Sequence, residues 1–287
     1  MLSRIAAGLI AAVLVVCGAR ASEIWQTLPE PAALPAVAMS GQVGHDGAQI
    51  WFATLGRGSP VLLLHGGLGS ADDWGNQVPA LVAARRRVIL IDSRGHGRST
   101  RDARPMDYER MESDVIAVLD ELGIRRVDVV GWSDGGIVGL IMAMKHARRV
   151  RSVFAFGANM DQRGANPDAM SNPILPVFLE QTQKAYRRLS PTPHDADAFA
   201  AAMEALWNSQ PNYSAADLAC INGPRVAIVD GEHEEFVTRA HTEYLAQAIP
   251  GAKLVMLPGV SHFAPLQDAR AFNAAMLAFL RSASPKR

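Results

Sequence analysis

Short, largely apolar runs separated by segments of helical periodicity leave this chain few ways to fold. Residues 49–55, 61–64, 88–91, 127–130, 150–156, 226–229 and 254–257 are such runs, rich in Val, Ile and Leu. A strand that alternates apolar and polar residues covers one face only, whereas an uninterrupted run suits a strand buried on both. Between the runs, residues 108–122 carry Met111, Val115, Val118, Leu119 and Leu122 at helical spacing, with Gly123 as a stop. Residues 135–146, 238–249 and 265–280 read as helices in the same way. Strand–helix alternation along one chain predicts the α/β class, a mostly parallel sheet with right-handed crossovers and helices on both faces.

The rhythm breaks once. From 158 to 224 no strand run occurs, and Pro167, Pro173, Pro176, Pro191 and Pro193 punctuate amphipathic pieces at 177–189 and 196–207. The interval is too long for a plain loop and predicts a helical insertion over the carboxyl ends of the strands, where open α/β sheets bind ligands. The core is then 45–157 together with 225–287. Ahead of it, residues 22–44, with Pro29, Pro31 and Pro35, read as an arm or linker. Arg4, an uncharged stretch at 5–19 and the triplet Ala19-Arg20-Ala21 before Ser22 have the form of a secretory signal over 1–21. The apolar stretch is shorter than the ~20 residues of a spanning helix. The expectation is an exported protein, periplasmic or secreted, without a membrane anchor once cut. An uncleaved N-terminal anchor is the alternative.

Charge narrows the partners. Lys and Arg number 28, as do Asp and Glu, and cleavage removes Arg4 and Arg20, leaving a faintly acidic chain. Such a chain lacks the basic field that grips a phosphate backbone, which argues against nucleic acid, and no strong field steers a polyanion. A small neutral substrate fits better. Of the 2 cysteines, Cys17 leaves with the signal, and Cys220 alone forms no internal disulfide.

The chemistry is concentrated at Gly131-Trp132-Ser133-Asp134-Gly135, directly after the run at 127–130 and at the start of a helix. Gly-x-Ser-x-Gly between strand and helix is a nucleophile elbow: the glycines permit a turn tight enough to hold the serine hydroxyl clear of the sheet. Upstream, the run at 61–64 enters His65-Gly66-Gly67-Leu68-Gly69-Ser70. The N–H groups of Gly67 and of Asp134 are the candidate oxyanion donors. Downstream, His262 follows the last run and is the candidate general base. Between them, the stretch 226–230 is followed by Gly231-Glu232-His233-Glu234-Glu235, a carboxylate-rich loop able to supply the orienting acid. His65 and His96 are expected to shape loops, Trp74 and Trp132 to pack, and Arg85, Arg86 and Arg87 to form the solvated end of a helix.

With these motifs, residues 49–280 resemble the α/β-hydrolase superfamily, and Asp92-Ser93-Arg94-Gly95-His96-Gly97-Arg98-Ser99 is similar to its turn after the fourth strand. The resemblance implies an eight-stranded, mostly parallel sheet with a helical cap after the sixth strand. It implies Ser133 as nucleophile, His262 as base, and an acid three residues after Gly231, where this chain has Glu234 instead of the usual aspartate. Glu235 is the neighbouring alternative. Asp161 is a third, since some members take the acid from the preceding strand. The implied activity is cofactor-free hydrolysis of a small ester or lactone. C–C bond hydrolysis and perhydrolysis use the same triad, and a ligand-binding shell without turnover is the rival outside enzymes. Dehalogenases and epoxide hydrolases of this fold carry aspartate at the position of Ser133. No metal or nucleotide site is expected: Val237 stands where a zinc-protease helix needs its second histidine, and Thr100 where a dinucleotide loop needs its third glycine.

Overall fold

The computed structural model describes residues 23–221 and 225–283; the expected signal, 1–21, lies outside them. One sheet organises the chain. Its strands are β1 (Met39–His45), β2 (Ala48–Leu55), β3 (Ser59–Leu64), β4 (Arg86–Ile91), β5 (Val127–Trp132), β6 (Val150–Phe156), β7 (Arg225–Gly231) and β8 (Lys253–Leu257). They lie in the order β1-β2-β4-β3-β5-β6-β7-β8, with β2 antiparallel to its neighbours and the rest parallel. The runs are largely apolar because both faces are covered. Leu62, Leu64, Ile89 and Val129 enter one core with Met111, Val118, Leu140 and Leu245, while Val61, Leu63, Leu90 and Val130 enter the other with Trp74, Leu81, Phe272 and Met276.

The helices making those layers are α1 (Val78–Ala83), α2 (Tyr108–Glu121), α3 (Asp134–Lys145), then α4 (Ile174–Leu189), α5 (Ala196–Trp207) and α6 (Ala215–Ala219) of the inserted interval. After β7 come α7 (Arg239–Ala248), α8 (Ala264–Gln267) and α9 (Ala269–Ala283). None among the described residues is long and apolar enough to cross a membrane. Sheet order places β3 between β4 and β5, so the turns leaving β3 and β5 open side by side at their carboxyl ends.

Three expectations need correction. The sheet begins inside the expected arm, because β1 pairs with β2 throughout from Met39↔Thr54 to His45↔Ala48. Its sequence, Met-Ser-Gly-Gln-Val-Gly-His, has no apolar run because it is an edge strand with one face largely in solvent. The helix expected at 265–280 is two, parted at Asp268, whose ψ of 75° leaves the helical region. Arg86 is not a solvated helix end: it lies in β4, is 9% exposed, and its guanidinium pairs with buried Asp128 on β5.

The inserted helices are tied down at several points. Tyr186 of α4 stacks on Phe199 of α5 at 5.0 Å, Phe178 packs on Phe263 at 5.3 Å, and Arg188 reaches Asp72 at 3.0 Å. The N-terminal arm is also docked. Trp25 stacks on His233 at 4.4 Å, and the carbonyls of Trp25 and Thr27 accept from Gln267 Nε2 at 3.1 and 2.8 Å.

Candidate active site

Ser133 sits at the β5–α3 junction with φ 53° and ψ −119°, a conformation costly for any residue with a Cβ and therefore held by its surroundings. Its N–H donates to Phe156 O at 2.7 Å, and its carbonyl accepts from Gly136 and Ile137, which starts α3. The flanking glycines are steric necessities. A Cβ on Gly131 would lie 2.2 Å from Gly135 O, and one on Gly135 would lie 2.1 Å from Leu64 O. The elbow is therefore pressed against the end of β3, and the loop leaving β3 is brought beside the serine. A Cβ on Gly66 would stand 3.2 Å from Ser133 Cβ.

That loop carries Gly67. Neither its N–H nor that of Asp134, the first residue of α3, donates to a protein acceptor among the described residues. His65 shapes the loop. Its Nδ1 donates to Gly66 O at 2.7 Å and its Nε2 accepts from Ser93 N at 3.0 Å, joining the loop to the turn after β4. Asp92 organises that turn, accepting from Ala71 N and Arg98 N at 2.7 Å each. Trp74 and Trp132 are buried and pack edge-on at 6.2 Å.

His262 follows β8 and packs against Trp132 and Phe156, each at 6.3 Å between ring centres, so it shares the strand ends with Ser133. Two adjacent carboxylates hold it by different handles. Glu234 accepts from the ring Nδ1, at 2.8 Å to Oε1 and 2.9 Å to Oε2. Glu235 accepts from the backbone N–H of His262 at 2.9 Å and from Ser261 Oγ at 3.0 Å. The Glu234–Glu235 alternative thus resolves geometrically into ring against main chain. Asp161 lies elsewhere, bound to Arg163 at 2.8 Å. With Nδ1–H directed at Glu234, the Nε2 lone pair is the one available to a reacting group.

Burial dominates the electrostatics. It lowers the imidazole of His262 below its ordinary range, against the opposing pull of Glu235, Asp230 and Asp134. It raises Glu234 to about 7, against bonds from Asp230 and from the N–H groups of Phe236 and Val237. The imidazole is therefore neutral near neutrality and able to accept a proton.

The inserted helices reach the site through Trp207, at the end of α5. Its Nε1 donates to both oxygens of Asp134 at 3.2 and 3.1 Å, and Tyr108 Oη donates to the same carboxylate at 2.7 Å. A Cβ on Gly67 would meet the Trp207 ring at 2.4 Å. An aromatic wall thus stands beside the candidate oxyanion donor, while Phe236 meets His262 edge-on at 4.8 Å. Sequence reasoning placed Trp207 in the insertion but missed its bond to Asp134, which depends on a docking angle no periodicity encodes. It also passed over Asp230, whose signal was an acid closing an otherwise apolar run.

Comparison with known proteins agrees with this architecture. The model for the alpha/beta hydrolase fold matches residues 59–210. A non-heme haloperoxidase of Rhodococcus erythropolis is 30% identical over 268 residues, covering 83% of this chain and 97% of that protein. The serine hydrolase BPHL of Homo sapiens is 30% identical over 263 residues, covering 85% of this chain and 88% of its own. Among solved structures, an N-acyl homoserine lactone degrading enzyme superposes with a TM-score of 0.68 at 26% identity, covering 83% of this chain and 100% of that one. Sheet order and these likenesses together establish that the chain belongs to the α/β-hydrolase family and is a hydrolase.

Proposed function

We propose that the chain is a cofactor-free serine hydrolase acting on a small, neutral carboxylic ester or lactone, and that it works outside the cytoplasm after removal of residues 1–21. Ser133 Oγ attacks the carbonyl carbon while His262 Nε2 takes its proton, and Glu234 holds the imidazole and stabilises the imidazolium. The Gly67 and Asp134 N–H groups receive the oxyanion. As the carbon–oxygen bond to the leaving group breaks, His262 returns the proton to the departing alkoxide, leaving an acyl-Ser133. Water, deprotonated by His262, then releases the acid.

The observation that carries this reading is the pair of bonds from His262 Nδ1 to Glu234, at the strand end that also presents the strained Ser133. The small, uncharged substrate class is supported by the near balance of charges and by the Trp207 wall beside Gly67. The relative named as a lactone degrading enzyme, and a relative from Acinetobacter calcoaceticus named as a bifunctional esterase/perhydrolase, carry out compatible chemistry by their names. The test is labelling by a fluorophosphonate probe together with turnover of activated short-chain esters. Ser133→Ala should abolish labelling and cut turnover by about 10³ or more. Equal labelling of wild type and variant would overturn the reading.

A further inference from the structure

Behind Glu234 lies a second carboxyl that the mechanism above does not use. Asp230 is the next-to-last residue of β7 and is 1% exposed. Its Oδ2 accepts from Thr242 Oγ1 of α7 at 2.6 Å, and its Oδ1 accepts from Gly231 N at 3.0 Å. Its carboxyl also stands in hydrogen-bond contact with that of Glu234. No Lys or Arg pairs with either group among the described residues; the charged or titratable neighbours are Glu235, His262 and, through His262, Asp134.

Two buried carboxylates in contact cannot both be ionised, so the pair shares one proton. The donors around them decide which oxygen holds it. Glu234 accepts from Phe236 N at 2.8 Å, Val237 N at 3.2 Å and His262 Nδ1, three N–H groups that favour its charged form. Asp230 has one hydroxyl and one adjacent N–H. We propose that Asp230 is a positioning residue: it stays protonated through the catalytic cycle and donates its O–H to Glu234, fixing that carboxylate on His262. Burial raises the Asp230 carboxyl well above its ordinary range, in the same direction.

This inference rests on the hydrolase reading, and the experiment separates the two. Asp230→Asn keeps a donor facing Glu234, whereas Asp230→Leu removes it. The pH dependence of kcat/KM on an activated ester is measured for wild type and both variants, together with the downfield proton resonance of His262 Nδ1–H. Asp230→Asn should stay within about threefold of wild type, with its acid limb unmoved and the resonance retained. Asp230→Leu should lose about tenfold or more, and its acid limb should move to higher pH, because a less stabilised Glu234 lets the Glu234–His262 pair take up a proton more readily. Were Asp230 an anion supporting the imidazolium, Asp230→Asn would itself lose activity and its acid limb would move to lower pH. That result, or a Leu variant indistinguishable from wild type, overturns the proposal. The resonance needs no turnover, so it judges Asp230 even if Ser133 proves unreactive. Since the Asn variant is nearly isosteric, a misfolded Leu variant leaves the test standing.

Discussion

Glu234 and Glu235 are neighbours in sequence, yet they grip one histidine by its ring and by its main chain. Their replacement should therefore differ in kind. Glu234→Gln should lower kcat by roughly 10³–10⁴, since an amide cannot hold Nδ1–H as a carboxylate does and leaves the imidazolium uncompensated. Glu235→Gln keeps one acceptor and should cost about tenfold. Steady-state turnover of both variants on one ester tests the assignment, and the reverse order would sink it. In wild type the lowered His262 imidazole sets the sign of the pH response. Activity should persist below the ordinary histidine value of about 6.5 and fall only as the pH drops through the depressed one. The glycines of the elbow make a residue-scale prediction of another sort. A methyl at Gly135 would sit against Leu64 O, backbone on backbone, with no side chain free to yield. Gly135→Ala should destabilise the fold by about 3 kcal/mol or more, measured by denaturant unfolding.

Among the elements, legibility followed burial. The central strands β3, β4, β5 and β6 announced themselves as largely apolar runs, because a strand packed on both sides has few solvent-facing positions to fill with polar residues. Strand β1 did not, since its edge position asks little of its side chains, and Arg86 misled because its partner, Asp128, lies 42 residues away on another strand. Ser133 and His262 stood out as candidates because each directly follows a strand run, whereas Glu234 was set apart from Glu235 and Asp161 only by the family resemblance. The helices α4 and α5 were legible as helices, but their docking was not. It depends on Tyr186 meeting Phe199 and on Trp207 meeting Asp134, contacts between faces whose orientation one sequence does not state. Their consequence is specificity. Trp207→Ala should raise kcat/KM for longer or bulkier esters by about tenfold relative to the smallest, while Trp207→Phe, which keeps a ring but loses the bond to Asp134, should largely retain the wild-type preference. A chain-length panel of p-nitrophenyl esters reads both, and an unchanged profile in the alanine variant would remove Trp207 from the substrate's path.

For the molecule as a whole, buried titratable groups shape stability against pH. Burial pushes His96 down to about 3, while it lifts Asp73 and Glu112 to about 7. The signs oppose. A neutral buried histidine resists protons that the unfolded chain accepts, so its contribution is lost as pH falls from about 6.5 toward 3. The raised carboxyls bind protons more readily when folded, so their contribution is full at low pH and is lost as pH rises through about 7. Comparing variants isolates one term. Between pH 7 and pH 5, His96→Gln should gain on the order of 2 kcal/mol of unfolding free energy relative to wild type. Urea titrations at the two pH values would show it, and parallel curves would place the His96 titration elsewhere.

The docked arm bears on how the finished molecule comes into being. Gln267 donates to Trp25 O and Thr27 O and, with the same amide, to Ser261 Oγ, while its Oε1 accepts from Ser261 N at 2.8 Å, one residue before His262. The first of these bonds joins positions 242 residues apart, the kind of closure whose chain entropy is met late in folding. A segment ahead of the sheet is thus a brace for the loop that carries His262. In refolding, the far-ultraviolet signal of the sheet and helices should recover before ester turnover does, and the delay should track the moment Trp25 settles on His233.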